Sequence, residues 1–160
     1  MVLLKGDAGV FRPRIRVPRE SEALGSPAEG NAIFFDGYCG LCNRWVDVLL
    51  RADTAGIWKF APLQSRPGAQ LLRLADLSET YTDSVVVVRD GYLYTHSTAI
   101  IVALIALGGW YRAARLLLVI PTFVRDPLYA GVARFRYRVF GRSQTCRMPT
   151  PEERSRFLEV

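Results

Sequence analysis

The stretch that decides the fold reads NAIFFDGYCGLC and spans residues 31–42. Its first five residues form a short apolar run of the kind found in a buried strand, and an Asp-Gly dipeptide then supplies a turn. Cys39 and Cys42 follow at once. Beyond them, apolar residues recur at helical spacing up to the turn-forming residues 53–56. The sequence therefore predicts a strand, a tight turn and a helix, with both cysteines at the beginning of the helix.

Patterns further along the chain extend this unit into a mixed α/β core. Residues 57–61 indicate a second strand, and residues 68–77 indicate a second helix. The β-branched run 84–88 and the apolar residues 92–94 flank another Asp-Gly dipeptide, which is the strongest short signal for a hairpin. A capped helix follows over residues 97–107 and ends at two glycines. The predicted order of elements is β-α-β-α-β-β-α.

Two more helices are predicted after this core, at residues 110–120 and 123–140, with Pro121 between them. In the second helix, an apolar stripe at helical spacing indicates that these helices cover the α/β core. The stripe consists of Leu128, Val132, Phe135 and Val139.

The chain divides into three parts by composition. Residues 1–30 mix prolines, glycines and charges with little periodicity, so we expect a flexible N-terminal extension. Residues 31–147 form the predicted domain with its helical cover, and residues 148–160 form a C-terminal tail. With 160 residues, half of them hydrophobic, the chain is long enough for one domain with a sizeable core.

The cysteine content and the apolar segments bear on the compartment. Three cysteines are too few, and odd in number, for a disulfide-stapled secreted scaffold. Residues 1–19 contain no continuous apolar stretch of the kind that a secretory signal needs. The apolar runs 97–111 and 116–124 are shorter than the roughly 20 residues of a spanning helix. We therefore expect a cytoplasmic protein whose apolar helices are buried.

Basic residues are concentrated near the C-terminus. The net charge is +6, and six arginines crowd the C-terminal segment: Arg125, Arg134, Arg136, Arg138, Arg142 and Arg147. Such a patch attracts nucleic acid or anionic lipid. No recognised nucleic-acid module accompanies it, so we expect no specific nucleic-acid partner and favour a solvated basic helix face. Shallow contact of this basic helix with a membrane surface stays open as an alternative.

The cysteine pair predicts thiol-disulfide exchange. At a helix start, the first sulfur is stabilised as a thiolate by free backbone N–H groups and by the helix dipole. Cys39 is therefore the expected nucleophile, and Cys42, one turn further in, resolves the mixed disulfide with a protein or small-thiol partner. Asp36 is the third candidate catalytic residue, as acceptor of the proton that Cys42 loses, although Asp-Gly also forms turns. This chemistry requires no cofactor.

Zinc binding is the alternative, because a Cys-x-x-Cys pair is half of a typical zinc site. Cys146 and His96 are the residues that could complete the ligand set with Cys39 and Cys42. Neither arrives in a second closely spaced ligand pair, which favours redox chemistry. For Cys146 by itself, a free structural cysteine is favoured over a thiol whose pKa is lowered by the neighbouring arginines.

The seven residues from Asp36 to Cys42 resemble the D-G-x-C-x-x-C signature of the DCC-type predicted thiol-disulfide oxidoreductases. The similarity extends over roughly residues 31–147. It implies a thioredoxin-like fold with Cys39 and Cys42 as the redox pair, and with Asp36 in the same signature. One departure from thioredoxins concerns the cis-proline that faces their active site: the corresponding residues 81–84 contain no proline.

Overall fold

A computed structural model of the protein describes residues 15–16 and 30–158. Its centre is one mixed sheet of five strands in the order β1-β5-β4-β2-β3. The strands are β1 (Ile15–Arg16), β2 (Ala32–Phe35), β3 (Lys59–Pro62), β4 (Val86–Arg89) and β5 (Tyr92–Thr95). β2 pairs in parallel with β3, and the pairs β2–β4, β4–β5 and β1–β5 are antiparallel.

The helices lie between and after these strands. They are α1 (Gly40–Ala52), α2 (Arg66–Leu74), α3 (His96–Leu107), a 3₁₀ helix (Gly109–Val119), α4 (Thr122–Phe140) and a short 3₁₀ turn (Arg154–Arg156). From β2 to α3 the order is β-α-β-α-β-β-α, so the predicted thioredoxin-like core is confirmed. The two additional helices also lie close to their predicted bounds.

The sheet buries one layer of side chains on each face, as alternation along a strand requires. Ile33 and Phe35 face α1 and α3, where they join Val46 and Leu49 in the larger core cluster. On the other face, a second cluster forms against α2. Its buried members include Ala32, Phe34, Leu71, Leu72 and Leu93. The parallel pair β2–β3 is thus covered on both sides, which is typical of parallel strands in α/β folds.

Both ends of the predicted domain differ from the sequence analysis. Ile15–Arg16, within the expected N-terminal extension, pairs with Leu93 and Tyr92 of β5. The remaining residues before Gly30 lie outside the described part of the chain. At the other end, the predicted tail returns to the core: Phe157 is buried against Phe35 and Phe60. The domain therefore continues at least to this residue.

The apolar stripe of α4 is exposed, so the prediction that it packs on the core is wrong. Leu128 is 70% exposed and Phe135 is 52% exposed. The opposite side of α4 contacts the core through Tyr129, Arg136 and Tyr137. In the described part of the chain, no single helix is long and apolar enough to cross a membrane. Gly109–Val119 and α4 meet that criterion only together, across a bend of 113°.

Candidate active site

The cysteine pair lies where β2 ends and α1 begins. Cys39 is the N-cap of α1, with an extended backbone (φ −86°, ψ 119°), and its Sγ accepts a hydrogen bond from the Cys42 backbone N–H at 3.3 Å. The thiol thus replaces the Ser, Thr or Asp side chain that usually satisfies a free N–H at this position. No disulfide joins the two cysteines in this structure.

The two thiols have opposite acidities. The hydrogen bond from the Cys42 thiol lowers the pKa of Cys39 to about 6, assisted by the Cys42 backbone N–H and the charge of Arg136, although burial acts in the other direction. The same hydrogen bond, together with burial and the charge of the Cys39 thiolate, raises the pKa of Cys42 far above its ordinary value. At neutral pH, Cys39 is therefore the thiolate and Cys42 the protonated partner.

Asp36 is buried beside the pair, and both of its carboxylate oxygens are occupied. Oδ1 accepts hydrogen bonds from the Tyr38 backbone N–H at 3.1 Å and from Gln64 Nε2 at 2.9 Å. Oδ2 accepts one from the Tyr137 hydroxyl and faces Arg136 Nη2 at 3.5 Å. The bond to Tyr38 is the local turn contact that an Asp-Gly sequence favours. The carboxylate therefore anchors the turn and α4, and its charge opposes thiolate formation at both cysteines.

Arg136 is a member of the site that the sequence analysis counted only among the basic residues. Its side chain is 7% exposed and pairs with Asp36. Nη2 also donates to the carbonyl of Thr82 at 2.5 Å, and Nη1 donates to the carbonyl of Asp83 at 3.3 Å. The sequence signal that could have identified it is a polar and aromatic stripe on the side of α4 away from the apolar stripe, formed by Tyr129, Arg136 and Tyr137.

The loop before β4 differs from its counterpart in thioredoxins. No described residue has a cis peptide bond, in agreement with the absence of proline at residues 81–84. α4 occupies the polar groups of this loop instead. Arg136 binds the two carbonyls, and the Tyr129 hydroxyl accepts a hydrogen bond from the Val85 backbone N–H at 3.1 Å. Burial raises the pKa of Tyr129 to about 12, so this hydroxyl stays protonated.

Residues 141–147, which we call the cover segment, lie over Cys39. The backbone of Arg142 forms an antiparallel bridge with Cys39, and the Gly40 backbone N–H donates to the Gly141 carbonyl at 3.2 Å. A Cβ on Gly40 would lie 2.2 Å from the carbonyl oxygen of Phe140, so only glycine allows this approach. As a result Cys39 is fully buried, with 0% of its surface exposed.

Cys42 borders a pocket of about 210 Å³ on the other side of the pair. The pocket lies between α1, α3 and α4, and nearly all of its lining is apolar. It includes Leu41, Trp45, Ile100, Val132 and Arg136. Arg136 Nε is buried without a hydrogen-bond partner among the described residues. The pocket thus combines apolar walls with the adjoining side chains of Cys42 and Arg136.

The four predicted zinc ligands do not form a ligand set. Among residues 15–16 and 30–158, no group of three or more His, Cys, Asp or Glu side chains could hold a metal ion. His96 begins α3, where its Nδ1 lies 3.0 Å from Thr95 Oγ1. Cys146 packs against Gly37, at which a Cβ would lie 2.3 Å from its Sγ. Burial raises the pKa of Cys146, so its arginine neighbours do not make it a thiolate.

The sheet order and the helix-capping dithiol define a thioredoxin-like protein. The model of the DCC1-like thiol-disulfide oxidoreductase family matches residues 33–142. The chain belongs to this family, as the signature at Asp36 to Cys42 predicted, and the family supports a thiol-disulfide oxidoreductase function.

Two relatives share much of the chain. The uncharacterized protein YuxK of Bacillus subtilis (strain 168) is 39% identical over 126 residues, which are 79% of this chain and 92% of that protein. A chloroplastic DCC family protein of Arabidopsis thaliana is 35% identical over 117 residues, or 72% of this chain and 68% of that protein. No solved structure matches the chain.

Proposed function

We propose that the protein exchanges its Cys39/Cys42 dithiol with the disulfide of a protein or low-molecular-weight thiol partner. The observation that carries this proposal is the asymmetry of the pair. The pKa of the Cys39 thiol is about 6, whereas the pKa of the Cys42 thiol is strongly raised. At neutral pH, Cys39 is therefore ready to attack as a thiolate, and Cys42 stays protonated until the mixed disulfide has formed.

The reaction balances in two steps. The Cys39 thiolate attacks one sulfur of the partner's disulfide, which forms a mixed disulfide and releases one partner thiolate. Cys42 then passes its proton to the departing partner sulfur and attacks Cys39, which forms the Cys39–Cys42 disulfide and releases the second half of the partner as a thiol. The protein is oxidised by two electrons and the partner is reduced by two. The reverse sequence oxidises a partner dithiol, and the relative potentials set the direction.

Arg136 is a positioning residue in this scheme. Its charge favours the Cys39 thiolate, and its hydrogen bonds fix α4 on the loop before β4. Because α4 occupies the carbonyls of Thr82 and Asp83, a partner cannot dock on them as it docks on the corresponding loop of a thioredoxin. The pocket beside Cys42 offers another docking place, whose apolar walls fit an apolar side chain of the partner.

The cover segment controls access to the nucleophile. Cys39 has no exposed surface while Arg142 bridges it, so attack on a partner disulfide requires that this backbone move aside. At its far end the segment is anchored by Arg147, which pairs with Asp47 and Glu153. Residues 141–145 are exposed and are attached by main-chain hydrogen bonds such as Ser143 N–H to the Tyr38 carbonyl at 2.8 Å, so this part opens at modest cost.

Glutathione redox titration with mass spectrometry tests the proposal. The wild type is expected to form a reversible Cys39–Cys42 disulfide with a loss of two hydrogens. Cys42→Ser is expected to hold glutathione on Cys39 as a stable mixed disulfide, and Cys39→Ser is expected to form none. Cys146→Ser is the matched control and should behave as the wild type. A wild-type protein that forms no reversible disulfide, or that carries glutathione on Cys146, contradicts the proposal.

A further inference from the structure

The 3₁₀ helix and α4 expose an unusual amount of apolar surface. We call the exposed side chains of residues 109–140 the outer surface. Its large apolar members are Trp110, Leu116, Leu117, Leu118, Val119, Ile120, Phe123, Val124, Leu128, Val132, Phe135, Val139 and Phe140. Val119 is 82% exposed and Phe123 is 77% exposed. A contiguous run of this kind marks an interaction site rather than an ordinary protein surface.

The same segment carries most of the net charge of the chain. Residues 109–140 contain six arginines and one acidic residue, Asp126, so their net charge is +5, against +6 for the whole chain. Arg112, Arg115, Arg134 and Arg138 are exposed. None of these four forms an ion pair with a residue of the described chain. The outer surface therefore combines large apolar side chains with free guanidinium groups.

The combination of apolar side chains and free guanidinium groups narrows the kinds of partner that could bind the outer surface. A second copy of the same surface would bring like charges together. Residues 1–29 hold five basic and four acidic side chains, so they do not complement the charge either. A nucleic acid would pair with the arginines but would leave the aliphatic side chains without a partner. An anionic bilayer satisfies both, since its phosphates bind arginine and its acyl boundary takes apolar side chains.

We propose that the outer surface binds peripherally to an anionic lipid bilayer. The two helices meet at a bend of 113°, which suits a pair that lies along the surface rather than one that crosses it. Val132 belongs both to the outer surface and to the wall of the Cys42 pocket. Binding therefore brings the redox pair to the lipid interface. This inference goes beyond thiol-disulfide exchange and does not depend on it.

Vesicle flotation with the full chain tests the inference. The probes are vesicles of phosphatidylcholine alone and of phosphatidylcholine mixed with phosphatidylglycerol. The protein is expected to float with the mixed vesicles, to float at least tenfold less with phosphatidylcholine alone, and to be released by high salt. Equal binding to both kinds of vesicle, or binding to neither, overturns the proposal.

Matched variants assign the binding to the outer surface. Phe123→Glu combined with Leu128→Glu should weaken vesicle binding at least tenfold. Val48→Glu combined with Met148→Glu is the control, because both residues are exposed and apolar but lie outside the outer surface. All four positions are exposed, so the fold should tolerate the changes, which thermal unfolding verifies. If both pairs of substitutions weaken binding equally, the assignment is wrong.

A second comparison removes charge. Arg134→Gln with Arg138→Gln should weaken binding to the mixed vesicles roughly 25-fold, from about fivefold for each arginine at an anionic surface. Arg51→Gln with Arg66→Gln removes the same charge from exposed positions elsewhere and should change binding little. An equal loss in both double variants would mean that only the net charge matters, and would overturn the assignment.

Three further measurements separate peripheral bilayer binding from the redox chemistry, from membrane insertion and from nucleic-acid binding. Cys39→Ser with Cys42→Ser should bind vesicles as the wild type does, so a failure of the redox proposal leaves this test intact. Resistance of the bound protein to carbonate extraction would overturn peripheral binding in favour of insertion. Duplex DNA binding that is as tight as vesicle binding, and unaffected by Phe123→Glu with Leu128→Glu, would assign the surface to nucleic acid instead.

Discussion

The helices α1 and α4 meet at the dithiol, yet they are built in opposite ways. α1 buries apolar side chains such as Val46 and Leu49, as a helix on a hydrophobic core normally does. α4 presents Arg136 and Tyr137 to the core and turns apolar residues such as Leu128 outward. The inner side of α4 thus supplies polar groups to the surroundings of the dithiol, whereas its outer side exposes the apolar residues for which we propose a lipid partner.

The orientation of α4 rests on buried polar contacts rather than on burial of apolar area. On folding, the Arg136 guanidinium loses its hydration. It gains contacts with the Asp36 carboxylate, the Tyr137 hydroxyl and two loop carbonyls. Removal of one member leaves the others without compensation in a buried place, which is costly. Substitutions on the two helices should therefore destabilise the protein for different reasons and by different amounts.

The largest effect is expected for Arg136→Met. This change leaves the Asp36 carboxylate buried without its ion-pair partner, and we expect a loss of about 3–5 kcal/mol in the free energy of unfolding. Urea denaturation of the reduced protein measures this loss. Adding Asp36→Asn should recover much of it, because the uncompensated charge disappears. If the double variant is no more stable than Arg136→Met, the ion pair is not what holds α4.

The same variant should change the titration of the nucleophile. In the wild type, the Cys39 thiolate is present above about pH 6 and is protonated as the pH falls through that value. Without the charge of Arg136 the pKa of Cys39 should rise, so the thiolate should appear only at higher pH. The ultraviolet absorbance of the thiolate, read as the difference from Cys39→Ser, follows this titration without requiring access to the buried sulfur.

The next largest effect on stability is expected for Leu49→Ala on α1. Leu49 is fully buried, and truncation of such a leucine removes its transfer free energy and leaves a cavity, at a cost of about 3 kcal/mol. The denaturation midpoint should fall while the Cys39 titration stays near pH 6, since no group of the site is changed. A large change in the titration would show that α1 and the site are coupled beyond the position of Cys39.

Gly40→Ala probes the point where the two helices touch. The new Cβ would meet the Phe140 carbonyl oxygen at 2.2 Å, so the end of α4 must move, and overpacking of this kind costs about 1–3 kcal/mol. Displacement of the cover segment should at the same time speed alkylation of Cys39 by a small reagent. Gly91→Ala provides a contrast, because no atom lies near its Cβ and the strain there is confined to a turn. It should destabilise the protein without exposing Cys39.

The smallest effect is expected for Leu128→Ala on α4. Because Leu128 is 70% exposed, we expect the stability of the free protein to change by no more than about 0.5 kcal/mol. The contrast with Leu49→Ala is the direct test of the inverted construction of α4. A loss above about 2 kcal/mol would mean that this residue is buried in solution, by the residues before Gly30 or by a second copy of the chain.

The sequence correctly predicted those elements that are determined by residues close to each other along the chain. The Cys39 N-cap, the strand before it and the Asp90-Gly91 hairpin all depend on neighbours a few residues away, and the hairpin has the positive φ angles, 52° and 73°, that its sequence favours. Periodicity also located α4, but a period does not say which side faces inward. That was decided by contacts between Asp36 and residues 100 and 101 positions away, for which one sequence contains no local signal.

The C-terminal return was missed for the same reason. Phe157 is one aromatic residue in a polar stretch, and Arg156 is one of many arginines. Their partners lie far along the chain: Arg156 pairs with the buried Asp53, and Phe157 packs on Phe60. The polar composition of residues 148–160 is typical of a tail, and it therefore did not indicate that Phe157 belongs to the core.

These long-range contacts have a consequence for the protein during its synthesis. Arg136, the cover segment and Phe157 all come from the last quarter of the chain, whereas the dithiol emerges within the first third. During synthesis at about 5–20 residues per second, the cysteines leave the ribosome several seconds before the residues that shelter and tune them. In that interval neither the charge of Arg136 nor the cover segment can act on the pair. We therefore expect the nascent dithiol to be more accessible and less acidic than the pair in the folded protein.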